Sequence, residues 1–426
     1  MIQSVLSKKR SLTSKAAKAF YPLQPKICVA VTGTNGKTSV ASYVKQFWGL
    51  LEMRAVSLGT VGIEPTSAFK EALPEVPSIT TPGATDLHRI LDDLAKKKCE
   101  ACVLEASSHG LDQCRLHEVH LSAAGFTNLS QDHLDYHQSL EAYFKAKEKL
   151  FTEVSSLDTP CVINIDCAYG KRLAFERGLK NVMTYSLKDP SASLYASNVK
   201  NSSCGISFDL FYKQALQGSY TIPIFGEFHI SNILCALGLA IASTKVQAQD
   251  VFTKISHLKS VLGRLEVVPN DLGYKIFVDY AHTPDALEKA LKALKMLDHR
   301  KFFTVFGCGG DRDKSKRPLM GKIAHDLADE IIITDDNPRT EDPEIIRKDV
   351  AALLKPGTYH DCGDRKKAIA FALSQMKQGD ILLIAGKGHE SGQTVGTVTL
   401  SFHDVTVTKE LLDVISSPSN VIPAPS

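Results

Sequence analysis

Between residues 33 and 39, the run Gly33-Thr34-Asn35-Gly36-Lys37-Thr38-Ser39 combines two glycines, a lysine and three hydroxyls. It follows the apolar run Ile27-Cys28-Val29-Ala30-Val31 and leads into Val40-Ala41-Ser42-Tyr43-Val44, whose small and apolar residues suit a helix. A strand, a glycine turn and a helix N-terminus form a phosphate cradle. Backbone N–H groups and the helix dipole face the anion, a lysine reaches the terminal phosphates, and a hydroxyl from Thr38 or Ser39 holds Mg²⁺. Only two residues separate Gly33 from Gly36, whereas the common kinase or GTPase loop has four between Gly and Gly-Lys. The bland alternative is a glycine turn with a chance lysine. The strand before it favours a nucleotide site.

Other chemistry-bearing residues follow further strands. Glu105 closes the apolar run Cys102-Val103-Leu104 and precedes Ala106-Ser107-Ser108-His109-Gly110. An acid at the carboxyl end of a parallel strand beside a phosphate loop sits where Mg²⁺ or an attacking water is managed. A helix N-cap is the alternative. Asn128-Leu129-Ser130-Gln131-Asp132-His133-Leu134-Asp135-Tyr136-His137 is a dense polar loop, a metal site or a solvated turn. In the next helix Leu140, Tyr143, Phe144 and Phe151 share an apolar face with Lys147, while Lys145 and Lys149 point elsewhere. Lys147 either snorkels or has a lowered pKa. In the second case its neutral amine can take up CO₂ and act as a carboxylate.

In the second half, Asp279-Tyr280-Ala281-His282-Thr283-Pro284-Asp285, Gly307-Cys308-Gly309-Gly310-Asp311-Arg312-Asp313-Lys314, Asp335-Asp336-Asn337-Pro338-Arg339 and Gly386-Lys387-Gly388-His389-Glu390 each follow an apolar run. Four such loops line one sheet edge. Arg312, Arg339 and Lys387 suit carboxylates or phosphates, and Asp336 and Glu390 suit an ammonium group. The expected ligand is a zwitterionic amino acid with an extra acid group.

The elements that position these loops alternate. Strands are expected at 55–58, 101–104 and 121–126, with helices at 85–97 and 140–151; residues 180–225 form an antiparallel extension. A second rhythm begins near Val261: strands at 275–278, 302–307, 331–334 and 381–385 alternate with helices at 284–297, 317–328, 343–354 and 365–376. The fold class is α/β, a phosphate-loop domain with a mostly parallel sheet followed by a Rossmann-like domain. The two sheets imply a cleft that closes on substrate, and residues 416–426 read as a loose tail. The chain has 426 residues, a net charge of +3, and 43% hydrophobic and 23% charged residues. That balance gives no nucleic-acid surface, and no apolar run is long enough for a membrane span. Ten cysteines lack framework spacing; Cys99-Glu100-Ala101-Cys102 runs into a strand, and all read as reduced, buried thiols.

With TGTNGKTS, the TTP at Thr80–Pro82, EASSHGLDQCR, TNLSQDHLDYH, YFKAKEKLF, GRLE at Gly263–Glu266, DYAHTPD, GCGGDRDKSKRPLMG, DDNPR and GKGHE, the chain resembles the Mur ligases of peptidoglycan synthesis, most closely the MurE-type, diaminopimelate-adding branch. The resemblance implies an ATP-dependent cytoplasmic ligase and the partners ATP, UDP-MurNAc-L-Ala-D-Glu and meso-diaminopimelate, acting as a monomer without nucleic acid or membrane. It implies that Gly33, Thr34, Asn35, Gly36, Lys37, Thr38 and Ser39 hold ATP. Lys37, Glu105, His133 and Lys147 would be catalytic. Thr38 and Glu105 would hold one Mg²⁺, and His133 with carbamylated Lys147 a second. Thr80, Thr81, Ser107, Gln113 and Arg115 match the muramoyl-dipeptide site. Arg312, Asp336, Asn337, Pro338, Arg339, Gly386 and Glu390 match the amino-acid site, where Arg339 marks diaminopimelate over L-lysine.

Three departures stand out. Family members usually carry another N-terminal domain that grips the uridine nucleotide; here residues 1–24 correspond only to its last helix, Ser14–Phe20, and the linker. Either the start of the chain lies too far downstream or this form lacks that grip, and weak binding of the UDP substrate by the short chain is expected. The central domain is expected over 25–261 and the amino-acid domain over 262–426. Ile79 precedes Thr80 where Asn is frequent, and His229 replaces a frequent Asn while Asn232 remains. The alternatives are a truncated, weakly active or non-catalytic nucleotide-binding relic, an L-lysine-adding ligase, or a folylpolyglutamate-type relative.

Overall fold

A computed structural model describes residues 2–77, 79–202 and 205–416, so the expected loose tail beyond Ser416 lies outside the described residues. The chain divides into two compact units, one essentially residues 1–259 and one essentially 260–426, with short segments near 201–203 and 224–226 grouped with the second.

The first unit runs α1 (Ile2–Phe20), β1 (Ile27–Thr32), α2 (Lys37–Leu50), β2 (Ala55–Gly59), β3 (Gly62–Pro65), α3 (Ala84–Lys96), β4 (Ala101–Glu105), α4 (Ser108–Asp112), β5 (Ala123–Phe126), α5 (Leu134–His137) and α6 (Leu140–Lys149). It continues through β6 (Cys161–Asn164), α7 (Ala168–Glu176), β7 (Val182–Ser186), β8 (Leu194–Ser202), β9 (Gly205–Tyr212), β10 (Ala215–Ile222), α8 (Glu227–Ser243) and α9 (Ala248–Phe252). The ten strands form one sheet in the order β10-β9-β8-β7-β6-β5-β1-β4-β2-β3. From β2 to β8 the pairs are parallel, so β7 and β8 join the sheet in parallel where an antiparallel extension was expected, while β3 and β10 run antiparallel to their neighbours. Every residue of β4 and β5 is buried, as expected for central strands of a parallel sheet covered on both faces. β1 lies between β4 and β5, so the loops leaving these three strands meet at the crevice where ligands of such sheets bind.

The second unit comprises β11 (Glu266–Val268), β12 (Lys275–Asp279), α10 (Pro284–Lys295), β13 (Phe302–Phe306), α11 (Lys316–Leu327), β14 (Glu330–Ile333), α12 (Pro343–Ala351), β15 (His360–Asp361), α13 (Arg365–Gln375), β16 (Ile381–Ala385), β17 (Gly392–Val395), β18 (Val398–Ser401) and α14 (Asp404–Ser416). Its sheet has the order β11-β12-β16-β13-β14-β15. β12, β16, β13, β14 and β15 pair in parallel; β17 and β18 form a separate hairpin.

Several expectations are corrected. α1 is 19 residues long rather than confined to 14–20. It anchors in the first unit through Ser14, whose hydroxyl donates to the Cys114 carbonyl at 2.6 Å. The helix expected to reach Phe151 ends at Lys149 and passes into a wider turn, Leu150–Val154. α8 and the β17–β18 hairpin lay outside the expected elements. α8 is buried nearly all round, so it shows no amphipathic stripe to read. All nine described cysteines are free and seven are buried, while Cys167 and Cys362 are only partly buried, against the expectation of buried thiols throughout.

Candidate active site

The phosphate loop owes its shape to its glycines. Gly33 has φ +149 and Gly36 φ +92, and a Cβ at Gly33 would lie 1.9 Å from Thr127 Oγ1, so side chains are excluded at both. Asn128 ties the loop to the β5 exit. Its carbonyl accepts from Thr34 N at 2.9 Å, its Oδ1 accepts from Asn35 N at 3.0 Å, and its Nδ2 donates to the Asn35 carbonyl at 3.0 Å. From α8, Asn232 presses its amide against Gly36. α2 then begins at Lys37 with Gly36 as an N-cap that offers no side chain, leaving the first-turn N–H groups directed at the cradle. Lys37 Nζ donates to the carbonyls of Gly33 and Thr34, both at 2.9 Å.

Thr38 Oγ1 donates to Glu105 Oε2 at 2.9 Å. Thr60, at the exit of β2, binds the same carboxylate with its N–H at 2.9 Å and its hydroxyl at 3.1 Å. Glu105 is therefore not a helix N-cap: Ser107 caps α4. Sequence reasoning missed Thr60, although a polar residue following the Gly at a strand end was the available signal.

Lys147 does not snorkel. It is 1% exposed, its Nζ donates to the Gly33 carbonyl at 2.7 Å and lies 4.3 Å from the centroid of the Tyr143 ring. Burial, reinforced by the Lys37 cation and opposed by Asp132, holds its pKa well below the ordinary lysine value. The amine is thus poised to be neutral beside the phosphate loop.

His133 adopts a left-handed backbone, φ +52, and packs 4.9 Å from His109, which lies 5.5 Å from His137. Desolvation lowers His133 to about 4; its side chain is 41% exposed, which argues for a smaller displacement than a sealed site gives. Among the described residues, no group of three or more His, Cys, Asp or Glu is arranged to hold a metal ion. Thr38 and Glu105 fit Mg²⁺, an ion bound by one or two carboxylates with phosphate oxygens completing its shell.

The residues matched to the dipeptide site form one network. Thr81 Oγ1 donates to the Glu105 carbonyl at 2.8 Å and contacts Ser107 Oγ at 2.9 Å. Arg115 donates to the Thr81 carbonyl at 2.6 Å and to Gln113 Oε1 at 2.7 Å. Thr80 meets Thr60 at 3.1 Å. Ile79 is 44% exposed. His229 is buried, its Nδ1 2.8 Å from the Tyr43 hydroxyl on α2.

In the second unit the loops after β12, β13, β14 and β16 leave the same sheet edge, as expected. Arg339 has φ +52 and donates to the Gly310 carbonyl at 2.8 Å; a Cβ on Gly309 would sit 2.8 Å from its guanidinium. Burial and the neighbouring Arg312 cation lower its pKa. Arg312 is exposed. Pro338 directs its carbonyl at Gly310, and Gly386, φ +117, leaves room for Asp336 Oδ2. Lys387 is corrected: it is fully buried and binds Asp336 Oδ1 at 3.5 Å, Asn337 Oδ1 at 3.0 Å and Glu390 Oε2 at 3.2 Å. A buried ammonium must be paired, so Lys387 organises the acids rather than meeting a ligand anion. Two further arginines escaped sequence reasoning. Buried Arg317 holds Glu341 and Asp349, and Arg365 holds Asp404 through two bonds at 2.7 and 2.8 Å while donating to the Ala385 carbonyl at 3.0 Å.

A phosphate loop with a strand-end acid and a buried lysine, followed by a second sheet domain bearing arginines and acids, is the architecture of an ATP-dependent ligase. The comparisons agree. Residues 31–240 match the Mur ligase middle domain and residues 263–388 the Mur ligase glutamate ligase domain. The chain is 44% identical over 405 residues to the UDP-N-acetylmuramoyl-L-alanyl-D-glutamate--2,6-diaminopimelate ligase of Bradyrhizobium diazoefficiens, covering 94% of this chain and 81% of that one. It is 41% identical to the Rickettsia conorii protein of the same name, covering 94% and 82%. A solved structure of a ligase of that name superposes with a TM-score of 0.66 at 36% identity, covering 97% of this chain and 83% of the other. A folylpolyglutamate synthase of Mycobacterium tuberculosis complexed with ADP reaches a TM-score of 0.73 at 19% identity, covering 90% and 94%, and so shares the fold. The chain belongs to the Mur ligase family.

Proposed function

We propose that the chain is an ATP-dependent amide ligase that joins meso-2,6-diaminopimelate to the D-glutamate γ-carboxyl of UDP-MurNAc-L-Ala-D-Glu in cytoplasmic peptidoglycan precursor synthesis. The observation that carries this most directly is the Thr38–Glu105 hydrogen bond at a phosphate loop, in a chain 44% identical to a ligase of that name.

A γ-carboxylate oxygen attacks the terminal phosphorus of ATP and ADP leaves, giving an acyl phosphate. The incoming amine attacks the acyl carbon, loses a proton, and the tetrahedral intermediate expels phosphate. On this reading Gly33–Ser39 hold the ATP phosphates, and Lys37 exchanges its two loop carbonyls for the transferring phosphoryl oxygens, stabilising charge that grows in the transition state. Thr38 and Glu105 would hold one Mg²⁺ and His133 with Lys147 a second, and the ions would supply neutralisation of phosphate charge. Lys147 can serve there as a carbamate: its neutral Nζ bonds the carbon of CO₂ and releases a proton. The low-pKa amine supports that assignment. Thr80, Thr81, Ser107, Gln113 and Arg115 would orient the dipeptide.

The domain assignment follows: residues 25–261 bind ATP and the nucleotide substrate, and 262–426 bind the amino acid. Asp336 Oδ2 and Glu390 Oε1, the oxygens not taken by Lys387, would receive the ammonium group. Arg339 and Arg312 would take a carboxylate, and an arginine left without one disfavours L-lysine. The test is phosphate release by the purified chain with ATP, Mg²⁺ and UDP-MurNAc-L-Ala-D-Glu. Release that requires diaminopimelate supports the reading. Equal release with L-lysine reassigns the amino acid, and none with either at saturating nucleotide substrate supports the non-catalytic alternative.

A further inference from the structure

The β17–β18 hairpin lies outside the motifs that carry the proposed reaction, yet its first strand runs along the whole Asp335–Arg339 loop. Gln393 Nε2 donates to the carbonyls of Asp335 at 3.3 Å and Asp336 at 2.8 Å. Thr394 N donates to Asn337 Oδ1 at 2.9 Å. Arg339 N donates to the Thr394 carbonyl at 3.1 Å, and Gly396 N donates to the Arg339 carbonyl at 2.6 Å. Arg339 thereby makes an isolated parallel bridge to Val395.

Arg339 holds φ +52, a left-handed conformation that a residue with a side chain keeps only when its surroundings over-determine it. β17 and the turn residue Gly396 that follows it provide that constraint, fixing the N–H and the C=O of Arg339 at once. Released from it, the residue relaxes toward the right-handed or extended regions. Its guanidinium then leaves the Gly309–Gly310 turn, where its contact with the Gly310 carbonyl now holds it. Gln393 turns its amide toward the loop's own carbonyls, so it acts through Arg339 and Asn337 rather than on a ligand.

We infer that Gln393 and β17 are the positioning device that presets Arg339 and Asn337 for an amino acid carrying a second carboxylate. The inference rests on the proposed function for the identity of that amino acid, but the device itself is a property of the loop. Three variants of the full chain test it. Gln393→Met keeps the shape and removes both donors; Gln393→Glu keeps the length and places an acceptor against two carbonyls; Gln393→Lys keeps donors of similar reach. The expected result for the first two is a KM for diaminopimelate raised about 10-fold, the effect of roughly one lost buried hydrogen bond. The preference over L-lysine should fall by a similar factor and the KM for ATP should stay unchanged, with Gln393→Lys recovering most of the loss. Hydrogen exchange at the Arg339 and Gly396 amides should accelerate while β16 stays protected.

Equal losses for ATP and diaminopimelate, with a lowered Tm, make the hairpin merely structural and overturn the inference. So does an unchanged KM with unchanged exchange. If the wild type ligates no amino acid, the proposed function fails separately. The exchange measurement then decides alone, and protection kept in Gln393→Met overturns the device.

Discussion

Lys147 and Gly33 stand 114 positions apart in sequence, yet the lysine amine lies 2.7 Å from the glycine carbonyl inside the first unit. An amine sealed at 1% exposure is costly as a cation, and its retention beside a phosphate loop is best explained by chemistry. Lys147→Met should therefore lower the ligation rate by about 10²–10³-fold, the scale of losing a main electrostatic group. Its Tm should be little changed, because an apolar chain of similar length replaces a buried, neutral amine that makes one hydrogen bond. A lowered Tm with activity retained would assign Lys147 to packing.

The carboxylate of Glu105 is gripped by Thr38 and by both donors of Thr60. Glu105→Gln keeps the size and removes the charge, so the Mg²⁺ concentration needed for half-maximal turnover should rise by at least about 10-fold, as for loss of one of two protein ligands. Thr60→Val should give a smaller shift in the same direction. Titrating turnover against Mg²⁺ with each variant checks both.

Arg339 and Lys387 carry like charges with opposite roles. Arg339→Ala should reduce kcat/KM for diaminopimelate by about 10²-fold or more and leave L-lysine unchanged or improved, since the diacid loses its partner and lysine no longer faces an unpaired arginine. Lys387→Met, by contrast, leaves Asp336 and Glu390 without their buried cation and should lower Tm and the rates with both amino acids.

Stability should fall on acidification, with a sign set by named groups. Burial lowers His137 and His389 from 6.5 to about 4. The unfolded chain therefore binds protons there that the native state refuses, so their contribution is complete above pH 6.5 and lost as pH falls toward 4. Buried Asp279 is raised from 3.8 to about 6 and opposes them, its contribution complete below pH 3.8 and lost as pH rises through 6. Across pH 4–6.5 His389→Gln should flatten the decline in Tm and Asp279→Asn should steepen it. Tm measured against pH for the three proteins tests both signs.

The Arg365–Asp404 pair, both side chains fully buried, joins the starts of α13 and α14 to the end of β16. Asp404→Asn strands a buried guanidinium and should cost about 3–5 kcal/mol of stability, whereas Arg365→Met with Asp404→Leu should restore most of it. Thermal unfolding of the single and double variants distinguishes the two.

What could be read from the sequence was what alternates. The strand, polar loop and helix rhythm put Lys37, Glu105, Asp336 and Arg339 at strand ends, and the α6 stripe singled out Lys147. Groups whose role depends on distant partners were not legible. Thr60 is an ordinary turn residue until Glu105 lies beside it. Lys387 looked like a ligand cation because burial against Asp336, Asn337 and Glu390 is a property of the fold. The β17–β18 hairpin was hidden because its second strand, Val398–Ser401, is exposed throughout and shows no buried alternation.

The central claim is tested most directly by mass spectrometry of the nucleotide product after incubation with ATP, Mg²⁺, UDP-MurNAc-L-Ala-D-Glu and an equimolar mixture of meso-diaminopimelate and L-lysine. The account predicts a single new species heavier by one diaminopimelate residue, formed with one phosphate released per product. A lysine adduct in comparable amount, or phosphate release without any adduct, would contradict it.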